Sequence, residues 1–440
     1  MQPLAPYDLL IPKQIVFGWG RRAELAKLTR DWGSRCWIVC GSRTLAENNT
    51  LHALIEQLHA AGVTAQILCT QTAEPTVQDV DRVTAELRQQ VDRLRHVTGH
   101  WLLAIGGGSA MDLAKAVAAM LTNAHGSSVA EFLEGIGIGR TIEVAPLQVA
   151  AMPTTSGTGS EATKNAVISS PASLAKKSLR SPLMIPPLVL VDPELTATLP
   201  AKITAWTGMD ALTQLIESYL TRKAQPTTRA LALGALEGFV PALRAAVLGW
   251  PGTEQSEAPG PLDVKTSPEQ RAAREHLAHA ALTSGICLAN SGLGMAHGVA
   301  AALGAICNVP HGLACAVMLA PTLRANAEGR EDDYINLARA LTSDGTGGFA
   351  ALSTQAPNGS RTPRSKVSSG DLTTKQAAKL VIETVQELAD EIGIPRKLRE
   401  LGVEPAQLPE LVRGSAGNSM NGNPRTIDDA ELTTILENLW

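Results

Sequence analysis

Hydrophobic and polar positions follow two different patterns along the 440-residue chain. Between residues 36 and 191, short apolar runs of strand length are bounded by turn residues, and amphipathic stretches at residues 46–59 and 77–94 lie between them. Because apolar strands separated by helices are typical of a parallel sheet covered on both faces, we predict an α/β domain over residues 1–191. The predicted strands are CWIVC, TAQILC, WLLAI, LQVAAM and PLVLV.

From Asp192 onward the pattern changes to long segments that are rich in alanine and leucine and have helical periodicity. We therefore predict that residues 192–440 form an all-helical domain. Two segments, residues 249–270 and 342–371, are rich in Gly, Pro, Ser and Thr and are expected to be surface insertions. The predicted helices cover residues 204–220, 227–248, 268–290 and 374–392.

Charge and cysteine usage narrow the class of protein. The chain has 38 Lys plus Arg and 42 Asp plus Glu, a formal net charge of −4, without a long run of like charge, so nucleic acid and membranes are not expected partners. Its six cysteines lie in apolar sequence without CxxC spacing, which is typical of buried, reduced thiols. The N-terminal residues lack a signal-peptide pattern and no apolar stretch reaches membrane-spanning length. We therefore expect a cytoplasmic protein.

Three consecutive glycines connect the run WLLAI to a helical segment that begins at Ser109. Glycine lets the backbone turn tightly and approach a ligand closely, and the free amides at a helix start attract anions. Asp112 and Lys115 fall on the first turns of this helix, where the lysine is in reach of a phosphate or an acidic neighbour. The pattern predicts a phosphate site, although a glycine-rich turn without a ligand is the alternative for an isolated motif.

A second polar turn, MPTTSGTGSEAT at residues 152–163, follows the run LQVAAM. Its hydroxyl groups and two glycines suit a loop at the carboxyl end of a parallel strand, where ligands bind in such sheets. Two loops of this kind after successive strands favour a ligand between them. The segment GIGIGR at residues 135–140 is similar to a dinucleotide fingerprint, but no strand precedes it and no helix follows, so we interpret it as a loop.

Two histidines stand out because their surroundings are strongly apolar. His297 and His311 lie in the segment SGLGMAHGVAAALGAICNVPHGLACAVMLAP, and Asp210 lies on a different predicted helix, one turn before Gln214. A histidine in apolar sequence is more often a core residue than a ligand. One carboxylate and two imidazoles nevertheless form a plausible catalytic divalent-metal site with an open position. The other seven histidines lie in polar, helical or loop segments and are expected to be solvated.

Four ordered segments resemble the iron-containing (group III) alcohol dehydrogenase family. They are GGGSAMDLAKAVA, PTTSGTGSEAT, VDPELTATLPAKITAWTGMDALT and GLGMAHGVAAALGAICNVPHGLACAVMLAP. The resemblance implies a dehydroquinate synthase-like fold, with an α/β nucleotide-binding domain and a helical domain. It also implies that a divalent metal, Fe²⁺ or Zn²⁺, and NAD or NADP lie in the cleft between them, and that Asp210, His297 and His311 are metal ligands with catalytic roles.

The resemblance also assigns residues to the cofactor. The glycine-rich turn and the helix after it would hold the pyrophosphate, the threonine-rich turn the nucleotide, and Lys177 a ribose. After CWIVC the family often has an acidic residue that excludes a 2′-phosphate, whereas this chain has Ser42 and Arg43, so NADP is slightly favoured. The expected cofactor-binding residues are Gly41, Ser42, Arg43, Gly107, Gly108, Ser109, Asp112, Thr154, Thr155, Thr158 and Lys177.

Two positions depart from the family. The family commonly has histidine where this chain has Gln214, and a second histidine, often assigned to proton relay, where this chain has Ala301. Glutamine is a neutral and weaker ligand than imidazole. The assignment of Fe²⁺ is therefore less firmly supported here than in a relative with four ligands. The similar glycerol dehydrogenases and dehydroquinate synthases hold Zn²⁺ through three protein ligands. We expect Gln214 to lie beside the metal without holding it tightly.

The activity implied by the resemblance is the reversible conversion of a small alcohol to its aldehyde or ketone. The metal would act as a Lewis acid while the nicotinamide accepts the hydride. The alternatives are a polyol dehydrogenase, a maleylacetate-type reductase or a dehydroquinate-synthase-like lyase on the same scaffold, and a nucleotide-binding assembly protein without turnover. Relatives are usually dimers or larger, so we expect a homo-oligomer.

Overall fold

The computed structural model describes residues 6–41, 44–47, 49–93, 99–170, 175–249, 266–344 and 373–440. Within these residues, the strands are β1 (Gln14–Phe17), β2 (Arg35–Cys40), β3 (Thr64–Thr70), β4 (His100–Gly106), β5 (Val149–Pro153), β6 (Asn165–Ser170), β7 (Ala175–Arg180) and β8 (Leu188–Val191). The helices are α1 (Leu25–Leu28), α2 (Thr44–Glu47), α3 (Thr50–Ala60), α4 (Val77–Arg93), α5 (Gly108–Thr122), α6 (Ala201–Leu220), α7 (Pro226–Leu236), α8 (Phe239–Leu248), α9 (Pro268–Ser291), α10 (Met295–Ile306), α11 (His311–Ala325), α12 (Glu331–Thr342), α13 (Thr374–Glu391), α14 (Leu408–Gly414), α15 (Asn418–Gly422) and α16 (Asp429–Leu439).

Six strands form one parallel sheet in the order β1-β8-β5-β4-β2-β3. The five predicted strands are confirmed as β2, β3, β4, β5 and β8. Every residue of β4 is buried, as expected for a strand that is covered on both faces. The sequence pattern missed β1, which has only four residues and pairs with the distant β8. It also missed the antiparallel hairpin of β6 and β7.

The long predicted helices of the second half are confirmed as α6, α9 and α13. The segment predicted as one helix over residues 227–248 forms two helices instead, α7 and α8. Gly238 lies between them with φ 73°, a left-handed conformation that glycine adopts readily and that ends a helix. Residues 46–59 are likewise divided between α2 and α3, with Asn49 in a left-handed conformation before α3.

A large apolar cluster holds the helices of the second half together, and two smaller clusters lie on the two faces of the sheet. The sheet ends at Val191 and α6 begins at Ala201. The parallel α/β region followed by a helical region confirms the predicted fold class. Most of the two expected insertions, residues 250–265 and 345–371, lies outside the described residues.

One expectation about histidine exposure is wrong. His100 is buried because it opens the central strand β4, where Nδ1 accepts a hydrogen bond of 3.0 Å from Trp37 Nε1 on β2. No single helix among the described residues is long and apolar enough to cross a membrane, and two bent helix pairs meet that test only in combination.

Candidate metal and nucleotide site

The sheet order places the predicted phosphate loops side by side. Because β2, β4 and β5 are parallel neighbours, their carboxyl ends meet at one edge, where Gly41, the glycine-rich turn and the threonine-rich turn follow. The Thr154 amide donates a hydrogen bond of 2.9 Å to the Gly106 carbonyl, which connects the second and third of these segments. Thr154 is buried, whereas Thr155 and Thr158 are partly exposed at this edge.

The backbones at this edge approach so closely that side chains would not fit. A Cβ atom at Gly41 would lie 2.6 Å from Gly106 Cα, and one at Gly108 would lie 2.8 Å from Thr158 Cγ2. Gly107 is the N-cap of α5, and no side chain caps this helix end. The amides of the first turn, including that of the half-buried Ser109, therefore face a glycine-lined cradle that fits the pyrophosphate of a dinucleotide.

Asp112 and Lys115 hold the two loops together inside the protein. Asp112 Oδ1 accepts a hydrogen bond of 2.5 Å from Ser160 Oγ, and its Oδ2 accepts one of 3.0 Å from the Val167 amide. Lys115 is fully buried, and its Nζ lies 2.7 Å from Ser160 Oγ and 3.2 Å from Asp112 Oδ1. Asp112, which was expected to bind the cofactor, therefore has protein partners, and Lys115 contacts an acidic neighbour, one of its two expected partners.

The remaining cofactor candidates are Lys177, Ser42 and Arg43. Lys177 lies on β7 opposite Ile168, partly exposed, and its ammonium group is near Gly135 in the loop that contains GIGIGR. That segment is a loop in the structure, as predicted. Ser42 and Arg43 lie outside the described residues, so the preference for NADP stays a prediction.

The threonine-rich turn packs directly on α6, the helix that carries Asp210 and Gln214. A Cβ atom at Gly157 would lie 2.6 Å from Thr207 Cβ, one helical turn before Asp210. The nucleotide loops and the predicted metal ligands are therefore adjacent in space.

Three predicted metal ligands converge from three helices. His297 Nε2, at the start of α10, lies 3.3 Å from Asp210 Oδ1 on α6. His311 Nε2, the first residue of α11, lies 3.8 Å from the same oxygen. Asp210 and His297 are buried, whereas the His311 side chain is 36% exposed. This combination of a carboxylate and two imidazoles around one point fits a divalent ion that is reached from the side of His311.

Cys315 completes the cluster, and sequence reasoning missed it. One ligand atom each from Asp210, His297, His311 and Cys315 lies within 4.8 Å of the others. The cysteine follows His311 by one helical turn, and its Sγ lies 3.7 Å from His311 Nε2. The signal was present in the segment HGLAC, where a histidine and a cysteine share one face of a predicted helix.

Glu217 fixes the orientation of His297 and was also missed. Its Oε2 accepts a hydrogen bond of 2.6 Å from His297 Nδ1, and its Oε1 accepts one of 2.7 Å from the Ala296 amide at the start of α10. With the proton on Nδ1, the lone pair of Nε2 faces Asp210 and the cluster. A carboxylate behind a histidine is a common support for a metal ligand.

Gln214 is buried on α6, but its carbonyl oxygen is already engaged. Gln214 Oε1 accepts a hydrogen bond of 2.6 Å from Ser284 Oγ on α9. That oxygen is the only atom of the amide that binds metals well. The structure therefore brings Gln214 close to Asp210 along the helix and gives its ligand atom a protein partner.

The electrostatics of the cluster favour positive charge. Burial works to raise the pKa of the Asp210 carboxyl, but His311 and His297 outweigh it and the net shift is downward. Burial likewise works to lower the pKa of His297, and the combined effect of Cys315, Asp210 and Glu217 places it well above its usual value. Cys315, with Asp210, raises the pKa of His311 to about 9. The same negative groups that hold protons on the imidazoles would stabilise a bound divalent cation.

A glycine-lined cradle at the edge of a parallel sheet lies beside a cluster of possible metal ligands from three helices, an arrangement that fits a metal-assisted dehydrogenase with a dinucleotide cofactor. The family model described as "Iron-containing alcohol dehydrogenase" matches residues 12–193. A second model, "Fe-containing alcohol dehydrogenase family, C-terminal", matches residues 262–440. The chain belongs to the iron-containing alcohol dehydrogenase family.

Individual relatives match over nearly the whole chain. Lactaldehyde reductase from Escherichia coli is 27% identical over 425 residues, which cover 96% of this chain and 97% of the relative. A 1,3-propanediol dehydrogenase from Klebsiella pneumoniae is 28% identical over 448 residues, covering 98% of this chain and 97% of the relative. The crystal structure of a 1,3-propanediol oxidoreductase, 26% identical, superposes with a TM-score of 0.80 over 99% of this chain and 100% of that chain.

These comparisons confirm the family, the fold and the enzyme class that the sequence motifs implied. The chain is an alcohol dehydrogenase or aldehyde reductase of the iron-containing type. The name of the family, and relatives named NAD-dependent methanol dehydrogenase and NADPH-dependent butanol dehydrogenase, agree with the expected metal and nicotinamide cofactor.

Proposed function

We propose that this enzyme interconverts a small alcohol and its aldehyde or ketone at the cluster of Asp210, His297 and His311, with NAD or NADP held by the loops after β4 and β5. The observation that carries the proposal is the contact of the threonine-rich turn with α6, one turn before Asp210. A dinucleotide on the glycine-rich cradle would extend its nicotinamide end toward the cation site. Two relatives are named for small hydroxylated or carbonyl substrates, which supports a substrate of similar size.

When bound, a divalent ion would supply Lewis-acid polarisation of the substrate oxygen. The side chains around the expected ion supply the negative charge and fix the orientation of one imidazole. Asp210 contributes a buried negative charge, and Glu217 holds His297 so that Nε2 faces the cluster. His311 lies at the accessible side, so a substrate that approaches from the cleft passes this imidazole.

The cofactor end of the site is organised by backbone. The uncapped start of α5 directs amide groups and the positive end of the helix dipole toward the phosphates. The buried contacts of Lys115 and Asp112 with Ser160 keep the two loops in register. This rigid arrangement would fix the distance between the nicotinamide and the cluster, which is the main contribution of a protein to hydride transfer.

Ala301 leaves proton transfer to another group. It lies one turn after His297 on α10 and is partly exposed, in the position where the resemblance places a relay histidine. A methyl group neither donates nor accepts a proton. We infer that water in the open side of the site, or a hydroxyl of the cofactor ribose, carries the proton instead. Cytoplasmic location and homo-oligomeric assembly remain predictions.

The proposal is tested with protein purified without chelators. Metal content is measured by elemental analysis, and oxidation of NADH and NADPH is followed with a panel of small aldehydes. His311→Ala should lose bound metal and lower kcat/KM by at least roughly 100-fold. His276→Ala changes an exposed histidine of α9 and should retain both properties. Wild-type protein without bound metal and without turnover on any aldehyde would refute the proposal.

A further inference from the structure

We propose that Cys315 is the fourth protein ligand of the divalent ion and that its thiolate shifts the preference of the site from Fe²⁺ toward Zn²⁺. This inference rests on the proposed function, because it takes Asp210, His297 and His311 to be the other ligands. It concerns a side chain to which the resemblance gives no role.

The distances between the side chains suit a single small ion. A tetrahedral zinc ion with nitrogen and oxygen ligands at about 2.0–2.1 Å separates those ligand atoms by about 3.3 Å, and a sulfur ligand at about 2.3 Å lies about 3.6 Å from a nitrogen ligand. In the structure, His297 Nε2 is 3.3 Å and His311 Nε2 is 3.8 Å from Asp210 Oδ1, and Cys315 Sγ is 3.7 Å from His311 Nε2. These three distances lie near the tetrahedral values, and all four ligand atoms lie within 4.8 Å of one another.

The positions of the ligands leave one side of the ion accessible. Cys315 is completely buried, as are Asp210 and His297 apart from a few per cent of their surfaces, whereas His311 is partly exposed. Cys315 would therefore hold the ion from the protein interior, opposite the side from which substrate arrives. With four protein ligands in place, a substrate oxygen would bind the ion as a fifth ligand from the side of His311.

Gln214 competes poorly for the same role. Its carbonyl oxygen accepts the 2.6 Å hydrogen bond of Ser284 in a buried environment, so one of its two lone pairs is already used. An amide oxygen is also neutral, whereas a thiolate carries a full negative charge. The chain has thus lost an imidazole at residue 214 relative to the family pattern and has a thiol within reach of the same cluster.

The chemistry of sulfur sets the expected metal preference. Thiolate is a soft ligand that favours Zn²⁺, and mixed nitrogen and sulfur ligands around a tetrahedral ion are typical of zinc sites. Replacing one imidazole with a thiolate therefore favours zinc more than iron. The ratio of bound zinc to bound iron should depend on Cys315.

Cobalt provides a direct readout that does not depend on enzyme activity. Apo-protein of the full chain, prepared with a chelator, is titrated anaerobically with Co²⁺. A cobalt–thiolate bond gives an intense charge-transfer absorption in the near ultraviolet, whereas nitrogen and oxygen ligands give only weak ligand-field bands. We expect this absorption in the wild-type protein and in Cys307→Ser, because Cys307 is partly buried and does not belong to the four-residue cluster.

Cys315→Ser should lose the charge-transfer absorption, bind Zn²⁺ at least roughly tenfold more weakly, and show a lower ratio of zinc to iron when loaded from an equimolar mixture. Gln214→Ala should keep the absorption. Cobalt ligand-field bands without charge transfer in the wild-type protein, or charge transfer that persists in Cys315→Ser, would overturn the proposal and leave the proposed function standing. Failure of the wild-type protein to bind any of the three metals would overturn both.

A second measurement covers the case in which Cys315→Ser does not fold. Wild-type protein is alkylated with iodoacetamide after denaturant has been added to a level just below unfolding, with and without Zn²⁺, and the modified cysteines are identified by mass spectrometry. Zinc should slow alkylation of Cys315 by at least roughly tenfold more than that of Cys287, which is also buried and lies outside the cluster. Equal protection of the two thiols would contradict the proposal.

Discussion

The carboxylate of Glu217 should control metal affinity although it does not reach the ion itself. Its Oε2 accepts a proton from His297 Nδ1 at 2.6 Å, and its Oε1 accepts the Ala296 amide at 2.7 Å. Glu217→Gln keeps the shape of the side chain and can keep the bond to Ala296. The new amide group would instead donate to Nδ1, which moves the imidazole proton to Nε2. The nitrogen that faces Asp210 and the ion would then lose its free lone pair.

The expected loss follows from this change of tautomer. Partners of metal-ligating histidines typically contribute 10–100-fold to metal affinity, which corresponds to about 1.4–2.7 kcal/mol. A smaller effect on folding is expected as well, since a negative charge at the start of α10 stabilises the helix by about 0.3–1 kcal/mol, or up to about 2 kcal/mol when partly buried. The Glu217 side chain is 2% exposed, so the upper part of both ranges applies.

Zinc affinity is measured by competition with a chromogenic chelator, and the free energy of unfolding by urea denaturation of the apo-protein. Glu269→Gln serves as the control. Glu269 is also an acidic residue near a helix start, but it is exposed and lies on α9, which carries none of the four cluster residues. We expect Glu217→Gln to bind zinc 10–100-fold more weakly and Glu269→Gln to match the wild type. If the two variants bind zinc within twofold of each other, Glu217 does not set the tautomer of His297.

Four further substitutions test other parts of the site and of the fold around it. Burial raises the pKa of Glu161 to about 7 from its usual 4.5, so the folded protein keeps a proton that the unfolded chain has released. The free energy of unfolding should therefore fall by up to about 3 kcal/mol as the pH rises from about 4.5 to 7, and urea denaturation of Glu161→Gln should show a flatter pH dependence. Gly108→Ala places a Cβ atom 2.8 Å from Thr158, which should cost about 1–3 kcal/mol by overpacking and weaken cofactor binding in calorimetry. Gly234→Ala in the open interior of α7 should instead stabilise the protein by roughly 0.5–1 kcal/mol. Gln214→His should raise zinc affinity in the chelator competition if residue 214 faces the ion, and unchanged affinity would show that it points away.

The sheet was predictable because its information is local. A buried parallel strand such as β4 has a continuous apolar sequence, and strand ends in a parallel sheet meet at one edge. The glycine-rich and threonine-rich turns follow two such strands, so the sequence pattern alone predicts that they lie next to each other. Strand β1 was not predicted because four residues are too few to show a hydrophobic pattern. Its pairing with β8 is a contact between distant parts of the chain.

The cation cluster was only partly predictable, since its geometry depends on helices that are distant in sequence. Asp210 and His297 are 87 residues apart, and nothing local in the sequence requires them to meet. Inside the first domain, Lys115 contacts the acidic neighbour Asp112, one of the two partners expected for it, and both side chains also bind Ser160. Their charges indicated partners, but only the packing of α5 against the threonine-rich turn shows which ones.

A neutral glutamine at residue 214 together with a thiol at residue 315 changes the net charge of the site if the thiolate binds the ion. In the family pattern, one carboxylate and three neutral imidazoles leave a divalent ion with net positive charge. Here one carboxylate and one thiolate would cancel that charge, because Gln214 and the two imidazoles are neutral. A site with no net charge has a smaller desolvation cost when it is buried. It also polarises a substrate oxygen less strongly.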